Sequence, residues 1–284
     1  MPRNHILTLS CPDRVGLVAS LAKAMEQHQC FIESSRTFSD PETSRFFARL
    51  VFRAPNEDLP ARLNTDLGAL AAELEADWSV HPEGETIKAL LLVSKSDHCA
   101  NTLLYGARRN ELPIEVVGIL SNNETLKDNF AHWQLPWFHV PVTKDTKPEA
   151  EARLFEVIEE TGAELVVLAR YMQVLSDDAC RHLEGRCINI HHSFLPGFKG
   201  ARPYHQAHER GVKVIGATAH YVTADLDEGP IITQVTEVVD HTFSPADMIE
   251  TGRHLEGNAL LRAVKAHAEH RIFINAGKTV VFAR

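Results

Sequence analysis

"IKALLLVS", residues 87–94, is the stretch from which the fold can be read. Apart from Lys88 and Ser94 it is aliphatic throughout. A strand with one wet face alternates apolar and polar; a continuous run fits a parallel strand covered by helices on both faces. "IEVVGILS" (114–121) and "AELVVLA" (163–169) repeat the pattern, and segments around 99–109, 124–133 and 147–161 carry helical patterning near them. This alternation predicts an α/β fold with a doubly wound, mostly parallel sheet. Downstream, "RCINIHH" (186–192), "VKVIGATAHYVT" (212–223) and "GPIITQVTEVV" (229–239) read as strands, 245–270 as a long helix and "TVVFAR" (279–284) as a final strand. Sheets of this kind bind ligands beyond the carboxyl ends of their strands.

Toward the N terminus the rhythm differs. "HILTLS" (5–10) reads as a strand, and Val15, Val18, Leu21, Ala22 and Met25 recur at helical spacing over 14–28. "CFIESSRTF" and "SRFFARLVF" are two strands around the Asp40-Pro41 turn. A second helical stripe (Leu63, Leu67, Leu70, Ala71, Leu74) and the strand "DWSVHP" complete βαββαβ, a ferredoxin-like order. The Pro- and Gly-bearing "HPEGET" marks the change, so the expected units are 1–82, a linker at 83–86, and 87–284.

With 284 residues, 44% of them hydrophobic, the chain can bury two cores. A net charge of −9 without a basic run argues against a nucleic-acid partner. The strand-like start is too short for a signal-peptide core, and no segment approaches the roughly 20 apolar residues that cross a bilayer. No membrane partner is expected. Five scattered cysteines without a CxxC pair fit reduced thiols in the cytoplasm.

Chemistry concentrates at two strand ends. Asn189 and His191, two apart on a strand, project from one face, whereas His192 points the other way. An amide and an imidazole aimed together into a cleft form an oxyanion-stabilising pair; the bland alternative is a strand end whose polar groups satisfy backbone. Asp227 in "TADLDEGP" (223–230) adds a carboxylate that would favour imidazolium at His191 and relay a proton. Asp225 competes for that role, or caps the loop locally.

Other chemistries are weaker. There is no GxSxG, and Ser193 lacks a nucleophile setting. Cys99, beside His98, reads as a buried small residue at a helix start rather than an activated thiol. His205 and His208 lie three apart, but no acidic ligand stands at a matching offset, so no metal is expected. No glycine occurs from Thr86 to Tyr105, where a phosphate site would need closely spaced glycines.

At "INIHHSFLPGFKG" (188–200) together with "HYVTADLDEGPII" (220–232) the chain resembles the folate-dependent formyltransferase family, over about 87–284. The resemblance implies that Asn189, His191 and Asp227 surround the formyl group on N10 of tetrahydrofolate, the substrate, with no cofactor. It also implies a pterin cleft at "LARYMQVLS" (168–176), lined by Arg170, Met172 and Val174, with Val222–Asp225 opposite. The first domain resembles an ACT domain, through "CPDRVGLVASLA" (11–22). That implies a homo-oligomer and an amino-acid effector near Asp13, Val15 and Gly16, although Gly16 has the alternative of serving close packing.

An ACT domain fused to such a domain implies the hydrolytic branch of the family. Water would cleave 10-formyltetrahydrofolate to formate and tetrahydrofolate, balancing folate pools and supplying formate for purine biosynthesis. "SKSDHC" (94–99) in place of a glycine-containing phosphate loop, and "HHS" (191–193) in place of the transferases' usual "HPS", agree. The alternatives are formyl transfer to an amine and a non-catalytic amino-acid sensor.

Overall fold

The computed structural model describes residues 4–55, 59–197 and 203–283, without the side chains of 59–62 and 64–66. Phe198, Lys199 and Gly200 of the quoted motif, and Arg284 of the expected last strand, lie outside the described residues. Two compact units form: 1–85 with 269–276 and 280–284, and 86–268 with 277–279.

In the first unit β1 (Asn4–Pro12), β2 (Phe31–Asp40), β3 (Arg45–Arg53) and β4 (Asp77–Pro82) make an antiparallel sheet ordered β2-β3-β1-β4. Helices α1 (Leu17–Gln27) and α2 (Leu59–Leu74) complete the expected βαββαβ order. Leu7 and Leu9 from β1, Phe46 and Phe52 from β3, Leu21 from α1 and Leu63 from α2 share one core.

Strand β3 is buried on both faces, which a two-layer unit does not explain. The second cover is the segment from 269: Phe47 packs on Phe273 at 5.4 Å between ring centroids, and Arg49 donates to the carbonyls of Glu269 and His270. The C terminus therefore divides differently from the sequence reading, which ran the second domain to 284. Its last strand does not extend the large sheet.

In the second unit, β5 (Ile87–Val93), β6 (Ile114–Ser121), β7 (Trp137–His139), β8 (Leu165–Leu168), β9 (Cys187–His191), β10 (Val214–Tyr221) and β11 (Ile231–Val238) order as β11-β10-β9-β8-β5-β6-β7. From β7 to β9 all neighbours are parallel; β10 alone is reversed, pairing antiparallel with both β9 and β11. Helices α3 (His98–Arg108), α4 (Lys127–Phe130), α5 (Lys147–Thr161), α6 (Asp177–His182), α7 (Pro203–Glu209) and α8 (Pro245–Ala268) accompany it. This is the α/β, mostly parallel sheet expected from the aliphatic runs. The chain winds outward from β5 to β7, then returns to place β8 on the other side of β5, the topological switch of such sheets. Among the described residues the last strand, β13 (Lys278–Val281), pairs with β12 (Ile272–Asn275) alone. Among the described residues no helix is long and apolar enough to cross a membrane.

Candidate active site

Antiparallel pairing of β10 with β9 sets Asn189 opposite His220 and His191 opposite Thr218. Directly opposed residues share a face of the sheet, so this register gathers an amide and two imidazoles on one side. Asn189 Nδ2 lies 3.2 Å from His220 Nε2, and His220 Nδ1 lies 2.8 Å from the Tyr221 carbonyl. Burial lowers the His220 pKa, so the neutral ring donates from Nδ1 and accepts the Asn189 amide at Nε2. That leaves the second amide hydrogen of Asn189 for a ligand.

Asp227 arrives from the loop after β10. Gly229 makes its approach possible: a Cβ there would lie 1.8 Å from the Tyr221 carbonyl oxygen, and the Tyr221 N–H bonds Pro230 O at 3.0 Å. Asp227 itself sits at φ +58°, an uncommon region for a residue with a side chain. Its Oδ1 stands 3.2 Å from His191 Nδ1 and 3.8 Å from His220 Nε2. The hydrogen bond from His191 holds the Asp227 carboxyl below its ordinary range against the opposing effect of burial. His191 is 5% exposed, and its Nε2 is buried without a hydrogen-bond partner.

A cavity of about 200 Å³ opens beside these groups. Asn189, His220 and Asp227 line it, as do all five residues expected to bind substrate: Arg170, Met172, Val174, Val222 and Asp225. Met172 and Val174 are 59% and 56% exposed, presenting apolar side chains without burying them. Asp225 serves the loop with its backbone: its carbonyl accepts from Thr223 Oγ1 and Glu228 N.

The cleft segment is held by polar pins. Arg170 stands at φ +68° with Nε 3.4 Å from Glu256 Oε2. The Met172 N–H donates to Ser94 Oγ (2.9 Å), which itself donates to Asn122. Ser176 donates its N–H and hydroxyl to Glu151, and its Oγ caps α6.

His192 differs from the expectation. Strand β9 ends at His191, and His192, just past it, also lines the cavity. Burial, with the Arg170 charge, pushes its pKa down to about 4, leaving it neutral. His220 and Glu256 were not singled out from the sequence. Register alone reveals His220, and nothing in the local pattern marks Glu256.

Cys99 is fully buried and its thiol pKa is pushed well up by that burial, which suits a packed residue rather than a nucleophile. Ser193 donates to the Gly197 carbonyl. His98, Cys99 and Glu256 bring potential metal ligands within 4.8 Å of one another. Their chemistry is already committed, since Glu256 is bonded by His98 and Tyr204, faces Arg170, and meets a protonated thiol. The predicted effector residues lie between β1 and α1. Val15 is fully exposed, the Asp13 N–H bonds Ser44 O, and Gly16 takes φ +97° with nothing within 4 Å of a Cβ. Backbone conformation, not close packing, accounts for that glycine.

A mostly parallel sheet with this amide–imidazole–carboxylate cluster beside a cleft at the ends of β8, β9 and β10 defines a formyl-transfer fold, and residues 87–264 match the Formyl transferase family. A formyltetrahydrofolate deformylase of Corynebacterium sp. (strain P-1) is 48% identical over 98% of this chain and 97% of its own. The crystal structure of the formyltetrahydrofolate deformylase of Burkholderia mallei matches with TM-score 0.94 at 48% identity, over 99% of this chain and 100% of that one. The glycinamide ribonucleotide transformylase 1 of Symbiobacterium toebii matches at 29% identity and TM-score 0.66, over 72% of this chain and 97% of its own. The chain belongs to the formyltetrahydrofolate deformylases, a branch of the formyl transferase family.

Proposed function

We propose that this protein hydrolyses 10-formyltetrahydrofolate to formate and tetrahydrofolate. The observation that carries the reading is the convergence of Asn189, His191 and Asp227 beside the cavity, in a chain that matches deformylases from end to end. Transfer to an amine is less favoured, because the transformylase matches only about the second unit's share of the chain.

Water attacks the formyl carbon while ionised Asp227 takes one of its protons. Asn189 donates its free amide hydrogen to the developing oxyanion. His191, held through Nδ1 by Asp227, acts on the same charge as imidazolium, donating the Nε2–H that has no other partner. Collapse breaks the bond from carbon to N10, and Asp227 returns the proton to the leaving nitrogen. Neutral His192 stands on the cavity wall beside them. The pterin lies against Arg170, Met172 and Val174 on one side and Val222 to Asp225 on the other.

The finer reading places the enzyme in the cytoplasm as a homo-oligomer, with no cofactor and no metal. It balances folate pools and supplies formate for purine biosynthesis. The first unit acts as an ACT domain, taking an amino-acid effector near Asp13, Val15 and Gly16. Steady formate release from 10-formyltetrahydrofolate alone tests the activity. An amino-acid titration of the full chain, following the rate, tests the effector.

A further inference from the structure

Glu256 lies in the middle of α8, 2% exposed, away from the reacting groups. A charge so buried needs partners, and Glu256 has three from three other elements. Tyr204 of α7 donates its hydroxyl to Oε1 at 3.0 Å, and His98 at the start of α3 bonds Oε2 at 2.8 Å. Arg170, in the cleft segment, brings its guanidinium to 3.4 Å of the same Oε2. Burial opposes the carboxylate charge, yet the His98 bond and the Arg170 charge outweigh it, so the group stays ionised. The helix is shaped for this contact. At Gly252, one turn before Glu256, a Cβ would lie 2.1 Å from the Tyr204 oxygen.

What the hub holds is the substrate cleft. Arg170 begins the exposed stretch that carries Met172 and Val174, and its backbone is left-handed at φ +68°. Tyr171 and Leu175 anchor that stretch in the core on either side of Met172 and Val174, but a left-handed arginine persists only where its surroundings determine it. Tyr204 reaches the opposite wall, its ring 6.4 Å from that of His192. One carboxylate thus ties the cleft segment to the wall beside Asn189. The catalytic trio does not depend on it, being held by the β9–β10 register and the His191–Asp227 contact.

We propose that Glu256 is a positioning residue: its buried carboxylate gathers Arg170, Tyr204 and His98, and so holds the cleft in the geometry that binds folate. This rests on the folate reading of the cleft. In the full-length protein, Glu256→Gln keeps the shape of the side chain and removes its charge. The expected result is a rise of about tenfold in KM for 10-formyltetrahydrofolate, with a much smaller fall in kcat. A purely structural role would instead lower the folded fraction, and hence kcat, at unchanged KM.

Titrating tetrahydrofolate, the product, reads the same effect without turnover. Glu256→Gln and Arg170→Met should each weaken binding about tenfold, and the double variant no further, because one contact is lost twice. Tyr204→Phe, which removes a single donor, carries the test if Glu256→Gln does not accumulate folded, with weakened binding again expected. Wild-type binding by the folded variants, or multiplicative losses in the double variant, overturns the proposal. A wild-type chain that binds tetrahydrofolate yet releases no formate would instead overturn the hydrolytic reading and leave this binding test standing.

Discussion

His191 Nδ1 and Asp227 Oδ1 stand 3.2 Å apart, joining the end of a buried strand to a loop that returns from the neighbouring one. The contact fixes the imidazole and stabilises the carboxylate charge together. Replacing Asp227 with Asn removes the proton acceptor while keeping the shape. A positioned general base is worth about 10²–10⁴ in rate, so kcat for formate release should fall by that much. Unchanged turnover would mean that another group takes the water's proton.

Asn189→Ala removes one oxyanion donor and also deprives His220 Nε2 of its partner. Loss of a single such donor costs about 10²–10³ in kcat. The cleft residues are untouched, so tetrahydrofolate should still bind with near wild-type affinity by fluorescence titration. Equal losses in binding and turnover would place Asn189 in substrate recognition instead.

Gly229→Ala tests the loop. The added methyl would meet the Tyr221 carbonyl at 1.8 Å, so the backbone carrying Asp227 must shift. Displacement of a reacting group by about 1 Å can cost 10²-fold in rate. We expect kcat to drop by about that factor in protein that remains folded by circular dichroism.

Stability should fall in mild acid. Burial lowers the pKa of His192 and His267 from 6.5 to about 4, and that of His220 in the same direction. Between about 4 and 6.5 the unfolded chain binds protons that the folded one refuses, so stability is complete above 6.5 and declines as pH drops through this window. Each full shift corresponds to on the order of 3 kcal/mol. The thermal midpoint should fall steadily between pH 7 and pH 5; a flat profile would contradict neutral burial of these rings.

The aliphatic runs at 87–94, 114–121 and 163–169 exposed the parallel sheet, because strands buried on both faces leave little room for polar residues. The cleft segment and Asp227 were legible through motif resemblance, and all five expected substrate residues line one cavity. His220 was not legible, since its meeting with Asn189 depends on an antiparallel register between strands separated in sequence. His192 misled because β alternation was carried one residue past the strand's end. The second cover of β3 was hidden for a similar reason. The hydrophobic run "RFFARLVF" implies two covered faces, but its partner, Phe273, lies 226 residues from Phe47. Glu256 was invisible, because a buried carboxylate within a helix looks like a surface one until its neighbours are known.

The most direct measurement is formate release from purified full-length protein given 10-formyltetrahydrofolate and no amine. The account predicts steady turnover, with one tetrahydrofolate formed for each formate. Formyl consumption that begins only when an amine acceptor is added, with the formyl group recovered on that amine, would contradict it.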